Sequence, residues 1–334
     1  MLLLPPRADE AVELPQGGEV VFGGEVFGTS WQVRAIASTP QTPDCAAAWT
    51  ARLRAASEDV LALVDRQMSP WIATSSSNAY NRLPPGSAMV LPEPMRSLVR
   101  DAISLRDLTG GLFDPFVGAA TDLWGFGPSP FDPTVRDSER SMALRLRRAS
   151  AAPAFAGPAL PRSDHFSLDL CGIAKGLAVD LVAAGLADDP QVGAVLVEIG
   201  GELKGFGLKS DAMPWWVDLD WSSYGATPPM RLALHGWACA SSGVAERNFT
   251  KGERLYSHTI DPRTGEPIEN DLAGVSVLDR ECWRADALAT ALLVAGSRQG
   301  AEMAERLAIP CLLVGTDGEI AHLSAALQEW RDDD

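Results

Sequence analysis

Apolar positions along the chain recur with two periods, and the switches between them mark its elements. From Val20 to Ser38, VVFGGEVFGTSWQVRAIAS alternates apolar and polar residues around Gly23-Gly24 and Gly28, which predicts strands joined by a tight turn. The pattern then becomes helical. Asp44 is placed to cap a helix whose buried stripe runs through Trp49, Leu53, Val60, Leu61 and Val64. A serine-rich loop, TSSSNAYNRLPPGS, follows. MRSLVRDAISLRDLT then lies between Pro94 and Gly110-Gly111, the Pro-first and Gly-last arrangement of a helix. Further helices are predicted from near Gly172 through LAVDLVAAGLA and over RADALATALLVAG, which Gly296 terminates. Short β-branched or aromatic runs, GAVLVEIG, WWVDLD, MRLALHG, AGVSVLD and CLLVG, read as strands. Residues 148–163, rich in Ala and Pro, read as a surface excursion. The expected architecture is α+β, a mixed sheet with packed helices, in one domain over residues 19–334 behind a flexible tail of residues 1–18.

Composition narrows the function classes. The 334 residues are 46% apolar with a mean hydropathy of zero, ample for a core. A net charge of −16 and a pI near 4.7 leave no basic surplus to neutralise nucleic-acid phosphates. A bare anionic ligand would therefore need a metal. The five cysteines are odd in number and form no CxxC pair, so neither a zinc site nor a disulfide framework is indicated. The start, MLLLPPRADE, lacks the cationic and long apolar regions of a signal peptide, and no run reaches membrane-spanning length. The expected location as written is cytoplasmic; a true start further upstream would allow the periplasm.

Chemistry concentrates between Tyr256 and Gly296. In SHTIDPRTGEP an extended segment presents His258 and breaks at the Asp261-Pro262-Arg263-Thr264-Gly265 turn. In the helix that follows, Asp286 and Thr290 are four residues apart and share a face, giving two oxygen donors suited to a hard cation such as Mg²⁺. LDLCGIAKGLAVD places Asp169 at a strand end, Cys171-Gly172 where backbone passes close to something, and Lys175 in a first helical turn, where a phosphate could meet unpaired N–H groups. Asp114, held extended before Pro115, could accept from a ribose or ring edge, and Trp124 and Phe126 form an aromatic platform or core anchors. Taken singly, each feature has an ordinary structural reading: a solvated Asp with a back-bonding Thr, a satisfied histidine, an exposed lysine on a strand-to-helix turn. Cys171 reads as a small packed thiol in preference to a reactive one, and His165, His235 and His322 read as structural.

Eight segments in order change that weighting. FGTSWQVR, MSPW with the serine-rich stretch ending YNR, GGLFDPFVG with LWGFGP, DLCGIAKGLAVD, VEIGGELKGFG, SSGVAERNF, YSHTIDPRTGEPI and ADALATALLVAG together resemble the FAD:protein FMN transferases, the ApbE family. The resemblance covers roughly residues 20–318. It implies a T-fold-like α+β domain and Mg²⁺-dependent transfer of FMN from FAD onto a Thr or Ser of an acceptor flavoprotein, with release of AMP. It further implies that Asp286 and Thr290 bind the metal, with the Gly172 carbonyl as a third donor and Ala289 adjacent. Phe27, Trp71, Leu112, Phe113, Asp114, Asp169, Lys175 and Ile260 fall where the family contacts FAD, and His258 falls at the histidine beside the diphosphate, so that His258 and Asp286 are the expected catalytic pair.

The departures from the family pattern lie on the FAD wall. Phe27 stands where methionine is usual, Cys171 where glycine is usual, and Ser75 to Asn78 lack a common acidic residue. Glu198 and Glu202 flank the double glycine where Asp or Asn, and Asn or Glu, occur. Three readings remain at this stage: the flavin transferase, an FAD pyrophosphatase giving FMN and AMP, and a non-catalytic FAD-binding protein.

Overall fold

A computed structural model describes residues 1–5, 13–128, 152–221, 230–244, 248–251 and 254–331. Its centre is an eight-stranded sheet. In chain order the strands are β1 (Glu19–Val26), β2 (Thr29–Ala37), β3 (Val192–Ile199), β4 (Glu202–Phe206), β5 (Trp237–Gly243), β6 (Leu272–Asp279), β7 (Cys311–Gly315) and β8 (Ile320–Leu323), and they lie side by side in that same order. Every neighbouring pair is antiparallel. The parallel component of the expected mixed arrangement is confined to a second sheet, where Leu2–Leu3 pairs with Met230–Leu234 beside Trp215–Leu219.

Strand periodicity explains how both faces are filled. Val33, Ala35 and Ala37 of β2 and Val195 and Val197 of β3 point to one core, while Ile36, Ala194 and Leu196 point to another. Where both faces are covered along the whole strand, as in β3 and β6, the sequence reads as a near-continuous apolar run although the sheet is antiparallel, whereas β2 alternates up to Ala35. Of helices α1 (Pro43–Met68), α2 (Ser76–Asn81), α3 (Met95–Leu108), α4 (Gly118–Leu123), α5 (Ala174–Ala187) and α6 (Cys282–Leu307), all but α4 put buried side chains into the first core, and Ala120 of α4 joins a small separate cluster with Phe126 and Ile260. The long excursion between β2 and β3 supplies five of them, and α6 fills the β6–β7 connection. The second sheet closes the other core with Leu3, Trp215 and Leu232, joined by Trp330. None of the described helices is long and apolar enough to cross a membrane.

Several local expectations are corrected. Thr42, not Asp44, caps α1: its side chain accepts from Cys45 N, Pro43 opens the helix, and Asp44 sits in the first turn. The serine-rich loop contains α2, because the Ser75 hydroxyl accepts from Asn78 N and so caps a short helix. Leu160 is fully buried, and Leu160–Pro161 pairs with Ala88–Met89, so this part of the excursion is packed. The Tyr80 phenol, pushed up to about 12 by burial, donates to the Pro161 carbonyl at 2.8 Å and ties the two segments together. Residues 148–151 of that excursion lie outside the described residues. The first residues also depart from a loose tail, since Leu3 is wholly buried and Leu4 N bonds to Trp330 O at 2.7 Å.

Candidate active site

A cavity of about 820 Å³ opens where the helical layer meets β2, β4 and β5, at Thr29, Glu202 and Ser241 to Gly243. Its floor is set by α5 and α6. Asp180 on α5 accepts from Cys282 N at 3.0 Å and Trp283 N at 2.9 Å, capping the first turn of α6 and fixing its azimuth against α5. Burial raises the Asp180 carboxyl, and Lys204, 2.6 Å away, opposes that rise. Gly176 lies where a Cβ would come within 2.5 Å of the Cys282 carbonyl oxygen, so only glycine permits this helix approach. One turn further along, Asp286 is buried, with Oδ2 accepting from Gly176 N at 3.0 Å, and Thr290 follows on the same face.

Gly172 completes the floor. A Cβ there would stand 3.1 Å from Thr290 Oγ1 and 3.8 Å from the Phe113 ring, so its backbone is pressed against both. The loop before it is shaped by Asp169, which accepts from Cys171 N at 3.0 Å through one oxygen and from Thr121 Oγ1 at 3.0 Å through the other. Lys175, in the first turn of α5, reaches across to Glu202 at the start of β4, at 2.7 and 2.8 Å. Glu202 is 1% exposed. Burial first, and then the Glu202 carboxylate, push the Cys239 thiol up to about 12.

His258 lines the opposite side, between the strand Arg254–Ser257 and the short strand Ile260–Asp261. The expected turn is present: Thr264 N and Gly265 N both bond to the Asp261 carbonyl, and Gly265 adopts φ 72°. Of the two aromatic residues, Phe126 lines this wall from a small buried cluster with Ala120 and Ile260, and Trp124 packs against that cluster. Phe126 packs edge-on to His258 with ring centroids 6.4 Å apart, while Trp124 stacks on Tyr256 and donates from Nε1 to the Gly265 carbonyl at 2.9 Å. The outer wall comes from distant segments. Phe27 and Gly28 form the two-residue turn between β1 and β2, both at positive φ, and turn the Phe27 ring to the cavity. Trp71 is half exposed at the mouth, and Leu112, Phe113 and Asp114 line the interior, Asp114 accepting from Phe116 N at 3.0 Å.

The cavity thus gathers His258, Asp286, Thr290, Gly172, Phe27, Trp71, Leu112, Phe113, Asp114, Asp169, Lys175 and Ile260 from segments more than two hundred residues apart. Ala289 is the exception: it is fully buried in the core and does not reach the cavity. Cys171, expected as a packed thiol, is exposed at the cavity wall, because the loop that presses Gly172 inward turns the preceding side chain out.

The sequence does not reveal which partners these residues take, even where, as at Glu202, the partner lies in a recognised motif. Ser242, whose hydroxyl is 3.3 Å from Thr290 Oγ1, was signalled only by alternation in β5, which sends Ser241 to Ser276 and Ser242 toward α6. Thr121, Asn81 and Glu202 act across long separations that no local pattern encodes. Residues 245–247 of the SSGVAERNF segment lie outside the described residues.

Comparison with known proteins matches this geometry to a family. The model of the ApbE family matches residues 27–313. A curated FAD:protein FMN transferase of Vibrio cholerae is 33% identical over 298 residues, covering 89% of this chain and 87% of that protein. One from Haemophilus influenzae is 27% identical, covering 93% and 91%. Among solved structures, the Pseudomonas stutzeri flavinyl transferase ApbE in its apo form superposes with a TM-score of 0.82 at 31% identity, over 96% of this chain and 98% of that one. The Vibrio cholerae flavin transferase ApbE gives 0.79 at 31% identity, over 94% and 99%.

Proposed function

The chain belongs to the ApbE family, and from that premise we propose that it is an FAD:protein FMN transferase that uses Mg²⁺ to move FMN from FAD onto a Thr or Ser of an acceptor flavoprotein. The observation that carries this reading is the meeting, in one cavity, of Asp286, Thr290 and the Gly172 backbone on one side and His258 on the other. Fit to the metal is argued from the donor set. One buried carboxylate, one hydroxyl and one backbone carbonyl are hard oxygen donors, and Mg²⁺ commonly takes its remaining ligands from phosphates and water. No group of three or more His, Cys, Asp or Glu residues suited to a metal occurs among the described residues, so the ligand's own oxygens would complete the sphere.

When bound, Mg²⁺ would supply charge neutralisation at the diphosphate and the departing phosphate. The remaining work falls to side chains. Phe27, Trp71, Leu112 and Phe113 bury the flat, apolar parts of the dinucleotide, and Asp114, Asp169 and Ile260 fix its register. Lys175 faces the diphosphate. His258, as the neutral imidazole, accepts the proton of the acceptor hydroxyl as its oxygen attacks the FMN phosphorus. The phosphoanhydride bond breaks, its electron pair leaves on the AMP oxygen, and a phosphodiester to the acceptor forms.

The direct test is incubation with FAD, Mg²⁺ and a flavoprotein acceptor encoded beside this gene. A mass increase of one FMN on the acceptor is expected, with AMP released in equal amount, and both are lost in Asp286→Ala. AMP release that proceeds equally without any acceptor would replace this reading by a pyrophosphatase. Tight FAD binding with neither product would replace it by a carrier.

A further inference from the structure

The one lysine among the described residues of the cavity wall does not present a bare charge. Lys175 Nζ lies 2.7 and 2.8 Å from the two oxygens of Glu202, and that carboxylate is 1% exposed. A carboxylate so deeply buried stays ionised only beside a cation, so the two charges largely cancel. The described residues around them tilt the cavity further. Asp114, Asp122, Asp169 and Asp286 line the same space, against Arg106, whose Nε stands 3.8 Å from Asp114 behind the wall, and Arg82, which is exposed at the mouth and donates to the Ala73 carbonyl. The whole chain carries −16. An anionic diphosphate entering alone therefore meets, among the described residues, a wall whose one lysine is half-buried and already matched.

Resting on the flavin transferase reading, we propose that Glu202 is a positioning residue that holds and neutralises Lys175, so that the cavity admits the diphosphate as its divalent-metal complex and rejects the bare anion. The pair aims the ammonium at the phosphates without making the cavity a general anion trap. Free nucleotide, phosphate and spent AMP without metal are held weakly, and the metal becomes a condition of binding as well as of chemistry. Glu202 acts through Lys175.

The test is equilibrium binding of FAD to the full chain, followed by flavin fluorescence, in Mg²⁺ and in EDTA. Wild-type protein is expected to bind FAD at least about tenfold more weakly in EDTA. Its metal-free affinity should hold or rise with ionic strength, because salt screens a repulsion. Glu202→Gln keeps the shape and removes the charge, and should strengthen metal-free binding by about tenfold, shrinking the Mg²⁺/EDTA ratio. A Glu202→Gln protein whose metal-free affinity is unchanged or weaker overturns the proposal. So does wild-type metal-free binding that falls steeply with salt, a result that decides the matter even where the variant does not fold. These readouts involve no acceptor, so absence of FMN transfer would sink the enzymatic reading while leaving the role of the pair separately measured.

Discussion

The floor and the outer wall of the cavity are built on different principles. Asp286 and Thr290 stand on α6, whose first turn is capped by Asp180 and whose approach to α5 needs a glycine at Gly176. Their positions follow from core packing. The outer wall hangs from the β1–β2 turn at Phe27, the half-exposed Trp71, and the α2 segment capped by Ser75. Those groups keep their places through local turns and caps. Of the departures from the family pattern, those at Phe27 and at Ser75 to Asn78 fall on this second kind of support, while Cys171 lies in the loop that carries Gly172 to the floor. Side chains whose placement is tied into the core leave little room to vary, whereas a wall that supplies apolar area can change its residues and keep its task.

The sharpest way to break that contrast is at the floor. Asp286→Ala should lower the FMN transfer rate on the order of 10³-fold, with the loss persisting at saturating FAD, because the group removed serves the chemistry. Asp286→Asn keeps an acceptor for Gly176 N and should melt close to wild type while remaining inactive, which separates the charge from the helix contact. If transfer survives in both, the floor is not where the metal is held. His258→Ala comes next, with an expected loss of about 10²–10⁴-fold in kcat and little change in FAD affinity. A rise in KM with kcat preserved would make His258 a binding group and move the proton acceptor elsewhere.

The wall should answer in the opposite currency. Phe27 is a non-glycine residue at φ 54°, followed by Gly28 at φ 76°, in a two-residue hairpin turn that prefers Asn-Gly. An aromatic side chain there carries backbone strain that its contact with the ligand would justify. Phe27→Asn should therefore hold or raise the melting temperature while weakening FAD binding by about tenfold, a fraction of the worth of a buried aromatic ring. A variant that loses stability and affinity together would show that Phe27 is a core residue first.

How much of this was legible in the sequence follows the same division. The helix bearing Asp286 and Thr290 was readable because its apolar period, its glycine end and its two oxygen donors lie within one short segment. Gly296 does end that helical run: at φ 75° it interrupts α6, and a second helical stretch continues from Ser297. The turn after His258 was readable for the same local reason. What sequence could not display were the pairings across the fold. Asp169 with Thr121, Lys175 with Glu202 and Asn81 with Leu168 join residues far apart in sequence that only the packing of helices, loops and sheet brings together. The α1 cap was misassigned because Thr42 and Asp44 are both capping residues, and Pro43 at the first helical position decides between them.

The far half of α6 supplies the control that keeps these effects apart. Beyond Gly296, Asp271 receives Ser297 N at 3.0 Å and the Ser297 hydroxyl, capping the second helical stretch away from the cavity. The Ser297 side-chain bond first, and then its backbone N–H, hold the Asp271 carboxyl below its usual 3.8. A carboxyl depressed in the folded state stabilises above its unfolded value, and that contribution disappears as pH falls through the lowered one. Asp271→Ala should thus cost about 1 kcal/mol at neutral pH. The gap between the melting curves of variant and wild type should close as pH drops below about 4. FAD affinity and transfer rate should be unchanged at neutral pH. A loss of activity in Asp271→Ala at a temperature where it stays folded would mean that the floor is coupled along α6 to its far end, and that Gly296 does not insulate the two halves.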